Sequence, residues 1–229
     1  MEEKTFWEQA ETLTSEKQMR ECFSALNLIG RKIKNIKISG YDYSKDEDLL
    51  EDQVYTKLDA NSESLAKNFS DFDKIPDDFK FNRYAEIDEP VILTLDDGRK
   101  IELCADELAN EFYVSVNKMP DNAEPSINID GNVLFSSCLD KTITAVDFKQ
   151  IPDNIFYQGD DKIPALLLYL SDGSILQING EIDFCEVCHT DKAGEPLPIS
   201  FKELKKGLKP EKDRRSRGMV SFLKKFFKK

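Results

Sequence analysis

The sequence has only one histidine and lacks the short motifs that mark most enzyme families. A Ser–His or Cys–His nucleophile would have to use His189, and the chain has no Gly-x-Ser-x-Gly turn, phosphate-binding loop, dinucleotide fingerprint or His-Glu-x-x-His motif. We therefore expect a non-enzymatic protein without a cofactor. Acid–base catalysis by a pair of the 44 Asp and Glu side chains stays open as an alternative, because such a pair needs no motif.

The first residues have no basic start followed by an apolar stretch, so we expect no secretory signal. Its five cysteines are an odd number, which fits a reducing compartment better than a set of disulfides. The sequence therefore predicts a cytoplasmic protein. Peripheral association with the inner face of the membrane stays open.

Three of the potential metal ligands lie together in the segment Cys185-Glu-Val-Cys188-His189, which matches the pattern for covalent haem attachment. Haem attachment of this type is expected outside the cytoplasm, whereas the sequence predicts a cytoplasmic protein. A zinc site would need Cys104 or Cys138 as a fourth ligand, without the second cysteine pair that makes such sites convincing. We expect structural thiols and treat Cys185, Cys188 and His189 as weak metal candidates.

A hairpin pattern occurs twice, in residues 90–98 and 164–173, at a spacing of 75. Each copy has a proline, an apolar run, Asp-Gly and a second alternating run. A three-residue turn that ends at Gly98 or Gly173 keeps the same face apolar on both strands of each hairpin, whereas a two-residue turn mixes the faces. The predicted pairs are Leu93 with Ile101, Val91 with Leu103, Leu168 with Leu176, and Leu166 with Ile178.

The similarity extends upstream, where residues 30–38 align with 140–148 at a spacing of 110. Further β-rich segments, 111–116 and 183–187, follow the two hairpins. We therefore predict a mainly β (α+β) fold in which two related antiparallel β-meanders pack as a sandwich or partly open barrel, with helices at the ends.

The same patterns divide the chain into five parts. Ser15 with Gln18, and Ser200 with Glu203, form capping-box patterns that predict helix starts near the two ends. The predicted parts are an N-terminal helical segment (1–29), a first β unit (30–120) with an acidic insert (41–89), a second β unit (121–198), a short helix (199–209) and a basic amphipathic tail (210–229).

The formal net charge of −12 conceals two regions of opposite sign. Residues 202–229 carry 12 Lys and Arg against 3 acids, whereas the rest of the chain carries 20 against 41. The acidic insert alone holds 15 acids and 6 bases. An acidic body repels phosphates, so we expect no binding to nucleic acid.

The densest acidic cluster comprises Asp46, Glu47, Asp48, Glu51 and Asp52. It does not match a calcium-binding loop, which needs a central glycine and acids at alternate positions. The surrounding apolar spacing favours an amphipathic helix with an acidic face. We expect this cluster to bind a protein partner that has a basic surface, as an immunity or inhibitor protein does through charge complementarity.

The end of the tail alternates apolar and basic side chains in a helical pattern. Such a peptide can bind an anionic membrane surface, dock in a groove of a partner, or fold back on the acidic body. A peripheral membrane protein anchored by the tail is therefore the alternative function. The tail residues concerned are Phe222, Leu223, Lys224, Lys225, Phe226, Phe227, Lys228 and Lys229.

Overall fold

The structure is a computed structural model, and it describes residues 6, 8–38, 76–87, 90–106, 110–118, 134–150, 163–181 and 184–203. These residues form a mainly β fold in which all the sheets are antiparallel. The strands are β1 (Glu11–Leu13), β2 (Ile33–Ile38), β3 (Lys80–Asn82), β4 (Tyr84–Ile87), β5 (Val91–Leu95), β6 (Lys100–Asp106), β7 (Glu111–Val116), β8 (Ile143–Lys149), β9 (Ala165–Leu170), β10 (Ile175–Glu181), β11 (Phe184–Thr190) and β12 (Pro198–Ser200). Helix α1 spans Glu16–Leu26, and a 3-10 turn spans Ser136–Cys138.

The first sheet has five strands in the order β1-β7-β6-β5-β2. Its central hairpin pairs Leu93 with Ile101 and Val91 with Leu103, which confirms the predicted register. Gly98 has φ +84°, the left-handed conformation that the three-residue turn requires.

The second sheet has the order β4-β11-β10-β9-β8. Its hairpin pairs Leu168 with Leu176 and Leu166 with Ile178, again as predicted, and Gly173 has φ +86°. The fifth strand, β4, lies within the region assigned to the acidic insert of the first unit. The insert therefore supplies an edge strand to the other sheet, and each of the two sheets has five strands.

The starts of β2 and β8 pair with each other and join the two sheets along one edge. The N–H of Gly30 donates to the carbonyl of Ile143 (2.8 Å), and the N–H of Asp140 donates to the carbonyl of Ile33 (2.7 Å). The two bonds are equivalent under the 110-residue spacing, because Gly30 corresponds to Asp140 and Ile33 corresponds to Ile143. Gly30 and Asp140 both have positive φ, +88° and +61°. The two halves therefore meet in an approximately twofold arrangement, while an origin by duplication stays a prediction.

Equivalent ion pairs connect each hairpin turn to the residues just before β2 and β8. Arg31 lies 3.4 Å from Asp97, and Lys141 lies 3.3 Å from Asp172. The bases are 110 residues apart and the acids 75, the same spacings as in the sequence. The aspartate of each Asp-Gly turn thus contacts the strand that begins its own unit.

The two sheets pack face to face over one shared core, with β6 in contact with β10 and β11. The inward positions of the central strands are apolar because side chains alternate between the two faces of a strand. The largest fully buried side chains are Phe81, Phe112, Phe135, Phe201, Leu13, Met19, Leu28, Ile33, Ile36, Leu93 and Leu95.

Helix α1 covers one end of this core. Ser15 caps it by accepting from the N–H of Gln18 (3.4 Å), but Gln18 reaches back to the N–H of Thr14 (2.8 Å) and so departs from the predicted capping box. Phe23 packs edge-on against Phe112 at 5.9 Å between ring centroids. The segment 1–29 contains the expected helix, and it also contains β1, which pairs with β7 and gains its strand conformation from that neighbour.

Strands β3 and β12 form a separate two-stranded sheet. The second capping box is confirmed: the N–H of Ser200 donates to Glu203 Oε2 (3.0 Å), and the N–H of Glu203 donates to Ser200 Oγ (3.3 Å). Residues 198–200 form a strand, and the predicted 199–209 helix begins after it, with residues 201–203 helical. Residues after 203 lie outside the described part of the chain.

Candidate functional site

The residues predicted to bind a partner or a membrane lie outside the described residues. This applies to the acidic cluster of Asp46, Glu47, Asp48, Glu51 and Asp52, and to the tail residues 222–229. The structure therefore tests neither the predicted partner-binding cluster nor the predicted membrane-binding tail. A different group of polar side chains, from β11, the β9–β10 turn and the 3-10 turn, forms the candidate site, with His189 and Ser174 buried at its centre.

The three weak metal candidates on β11 do not face one point. Cys185 and His189 occupy inward positions with Val187, whereas Cys188 points to the opposite face of the sheet, as alternation along a strand requires. No group of three or more potential metal ligands occurs within the described ranges. The arrangement therefore gives no support to a metal site at this motif.

The cysteines of the described segments are all free thiols, and burial makes several of them hard to ionise. Burial raises the pKa of Cys22 to about 11 and that of Cys188 to about 12. The pKa of Cys138, which is fully buried, is raised further, again mainly by burial. Thiols of this kind react slowly as nucleophiles, since the thiolate is the reactive form.

His189 is fully buried and hydrogen-bonded through both ring nitrogens. Its Nδ1 lies 2.7 Å from Ser137 Oγ, and its Nε2 lies 2.8 Å from Ser174 Oγ. Ser174 Oγ lies 2.6 Å from Asp172 Oδ1, and the N–H of Ser174 also donates to that oxygen (3.2 Å). Four side chains thus form a continuous chain of hydrogen bonds from the 3-10 turn to the β9–β10 turn.

The donors and acceptors of this chain follow from the charge of Asp172. Burial opposes ionisation of Asp172, but hydrogen bonds from Ser174 and the charge of Lys141 outweigh it and lower the pKa of the carboxyl. An ionised carboxylate only accepts, so Ser174 donates its one proton to Asp172 and accepts from His189 Nε2. The neutral ring then accepts at Nδ1, and Ser137 donates to it.

The ring of His189 is neutral at pH 7. Burial, followed by the positive charge of nearby Arg83, lowers the pKa of His189 from 6.5 to about 4. Each ring nitrogen nevertheless has a partner, which is the usual condition for burying an imidazole without loss of stability.

Arg83 lies between β3 and β4, and its guanidinium places a positive charge near His189. Its carbonyl accepts from the N–H of His189 (2.9 Å), and its own N–H donates to the carbonyl of Leu197 (2.9 Å). Its guanidinium Nη1 donates to the carbonyl of Leu134 (2.6 Å) and to Ser136 Oγ (3.2 Å). Arg83 therefore ties the 3-10 turn to the strand that carries His189.

Other buried polar groups have partners within the fold. Glu102, fully buried on the outward side of β6, accepts from Ser115 Oγ and from the N–H of Lys118 (3.0 Å). Asn179 donates to Glu186 across the outward face of the second sheet. These groups are satisfied without a ligand.

Sequence reasoning singled out only one member of this cluster, His189, and for another reason. Asp172 entered as a turn residue, while Arg83, Ser137 and Ser174 were not considered. One signal was present: Ser174 occupies the position, 75 residues on, that Arg99 occupies in the first hairpin. The two hairpins share the same turn pattern but differ at this position, with arginine in the first and serine in the second. The difference indicates that the two side chains have different neighbours, and the neighbour of Ser174 is His189.

In comparisons with known proteins, no family model, no curated protein and no solved structure matches this chain. In the described part of the chain, every helix is too short or too polar to span a membrane.

Proposed function

We propose that this chain is a non-enzymatic binding protein that recognises a protein partner with a basic surface. The uneven distribution of charge supports this proposal most directly. The described residues hold 20 Asp and Glu against 15 Lys and Arg, whereas the other residues up to 203 hold 22 against 6. The sheets are nearly balanced, and the excess negative charge belongs to the segments that connect them.

The longest of these segments, residues 39–75, follows β2 and carries 10 acids against 4 bases. Binding residues are commonly found on connecting segments that a rigid scaffold positions. A dense negative field also attracts a cationic partner over a distance and accelerates its association. An immunity or inhibitor protein that covers a basic site is one concrete form of this function, and its compartment is the cytoplasm.

The environment of His189 supports the non-enzymatic part of the proposal. Both ring nitrogens are occupied by serine hydroxyls, and its lowered pKa makes it a weak base. A general base performs best when its pKa lies near the working pH. We therefore assign His189 a structural role, in which its ring connects β11 to the 3-10 turn through Ser137 and to the β9–β10 turn through Ser174.

The test starts from the partner. The protein carrying an amino-terminal tag is purified from its native cells, the protein recovered in stoichiometric amount is identified, and the association rate of the two is measured at low salt. Replacing the five clustered acids, residues 46–52, by Asn or Gln should slow association at least tenfold. The matched control replaces five exposed acids of the described surface, namely Glu8, Glu11, Glu21, Asp78 and Glu195.

Both variants change the net charge by the same amount, so a difference between them reports the location of the charge. Equal association rates for the two variants would contradict the proposal, as would a partner whose binding is independent of salt.

The composition of the tail favours a second candidate, a peripheral membrane protein. Residues 202–229 carry 12 bases against 3 acids, and apolar side chains alternate with the basic ones. Apolar burial and attraction to anionic lipid add together in such peptides. The protein should sediment with phosphatidylserine vesicles, and truncation after Lys209 should abolish this. A tail of the same composition in scrambled order is the control; if the full chain stays in solution at low salt, this candidate is excluded.

A further inference from the structure

Arg83 is a buried cation that forms no ion pair with any residue that the structure describes. Its exposure is 6%. A buried charge is costly unless a counter-charge or a complete set of hydrogen bonds compensates it. Burial lowers the pKa of Arg83, but a guanidinium stays charged throughout the physiological range.

The hydrogen bonds of Arg83 are incomplete. A guanidinium has five N–H donors. Within the described residues, Arg83 has acceptors only at Nη1, namely the carbonyl of Leu134 and Ser136 Oγ. Among the described residues, no group accepts from Nε or Nη2. These two nitrogens form the edge with which arginine binds carboxylates and phosphates through two parallel hydrogen bonds. An unsatisfied edge on a buried cation therefore calls for a ligand.

The groups near Arg83 do not supply a full counter-charge. His189 is neutral. Asp172 raises the pKa of the ring, but it is paired at 3.3 Å with Lys141, which lowers that pKa. The acid that acts on Arg83 is Glu203, but its Oε2 already accepts from the N–H and the Oγ of Ser200 in the capping box. Glu203 offsets part of the charge without satisfying the free donors.

Ser136 provides both a further donor and access from solvent. It is exposed, and its oxygen accepts from Arg83 Nη1 (3.2 Å), so its own proton is free to be donated to a ligand. Ser137, by contrast, has its proton committed to His189. An anion that approaches past Ser136 would meet the hydroxyl and the guanidinium together.

We infer that Arg83 and Ser136 form a binding site for a small oxyanion, either a carboxylate or a phosphate group. The site uses only residues of the described β body and none of the acidic cluster that the proposed function uses, so a failed test of one does not decide the other. The planar guanidinium edge sets the specificity for oxyanions over chloride, because two parallel hydrogen bonds need two oxygens on one ligand.

The only histidine of the chain is a built-in reporter for this site. The full-length protein is titrated with inorganic phosphate, and separately with acetate, at constant ionic strength maintained with chloride, and the imidazole proton signals are followed by NMR. We expect a saturable shift with at least one of the two anions, which identifies the class of ligand. We also expect the pKa of His189 to rise in the saturated protein, because a bound anion offsets the charge of Arg83.

Arg83→Gln should weaken the binding at least tenfold, and Ser136→Ala should weaken it severalfold. The matched control is Arg99→Gln, since Arg99 already has a carboxylate partner in Asp97 at 2.8 Å. It should leave the affinity unchanged.

Several results would overturn the inference. The inference is wrong if neither anion gives a saturable shift with the wild-type protein, or if chloride gives the same shift. Binding that survives Arg83→Gln would also overturn it. Should Arg83→Gln fail to fold, Ser136→Ala at the exposed position takes its place, and an unchanged affinity in that variant would count against the site.

Discussion

Protonation of His189 should destabilise the fold in acid, and the structure sets the size of the effect. The pKa of the ring is lowered from 6.5 to about 4, mainly by burial. Between these two values the unfolded chain binds a proton that the folded chain does not, so stability is complete above pH 6.5 and falls as the pH is lowered. At 1.36 kcal/mol per pKa unit, the loss amounts to about 3 kcal/mol at pH 4.

The measurement compares urea unfolding of the wild-type protein with that of His189→Gln at a series of pH values from 7 to 4. Many carboxylates also titrate in this range, but they are common to both proteins, so the difference between the two pH profiles isolates the histidine. Glutamine retains one donor and one acceptor, which preserves contacts with Ser137 and Ser174 better than alanine would. The wild-type protein should lose about 3 kcal/mol more than the variant over this range.

An independent readout comes from the NMR titration of the same ring, which needs no assignment because the chain has one histidine. Its apparent pKa in the folded protein should lie near 4. A value near 6.5, or parallel pH profiles for the two proteins, would refute the buried neutral ring and with it the donor order from Ser137 to Asp172.

Three further predictions concern the turns, the core and the thiols. Gly98→Ala and Gly173→Ala should each cost about 1–2 kcal/mol in urea unfolding, because φ is positive while an added Cβ meets nothing within 4 Å; neutral substitutions would contradict the left-handed turns. Leu168→Ala should cost about 2–5 kcal/mol, since this side chain is fully buried, and a loss below about 1 kcal/mol would argue against the shared core. Iodoacetamide followed by mass spectrometry should label half-buried Cys22 well before buried Cys138, and equal rates in native buffer would contradict the described burial.

The hairpins were predictable from sequence because their information is local. Alternation along each strand leaves only one register that keeps a face apolar, and the glycine three residues past the last apolar position selects the turn. Two separate stretches, ending at Gly98 and Gly173, gave the same answer, and the observed pairs agree with it. The two capping serines, Ser15 and Ser200, were equally visible, although Gln18 bonds one residue earlier than its pattern suggests.

The edge strands were not predictable in the same way. β1 lies in a segment that reads as helical, and β4 lies in a region whose composition is dominated by acids. Each is at most four residues long and becomes a strand because a neighbouring strand offers unpaired backbone groups. Local composition carries no record of that neighbour.

The sequence by itself thus determined the fold class, the register of both hairpins and the division of charge between body and tail. These properties depend on the alternation of neighbouring residues or on composition alone. Only the tertiary structure decided which polar side chains meet. Ser137 is 52 residues from His189, and Arg83 is 51 from Leu134. Contacts over such separations form only when the chain closes on one core. That closure buries the cation of Arg83 with three of its five N–H donors lacking an acceptor among the described residues.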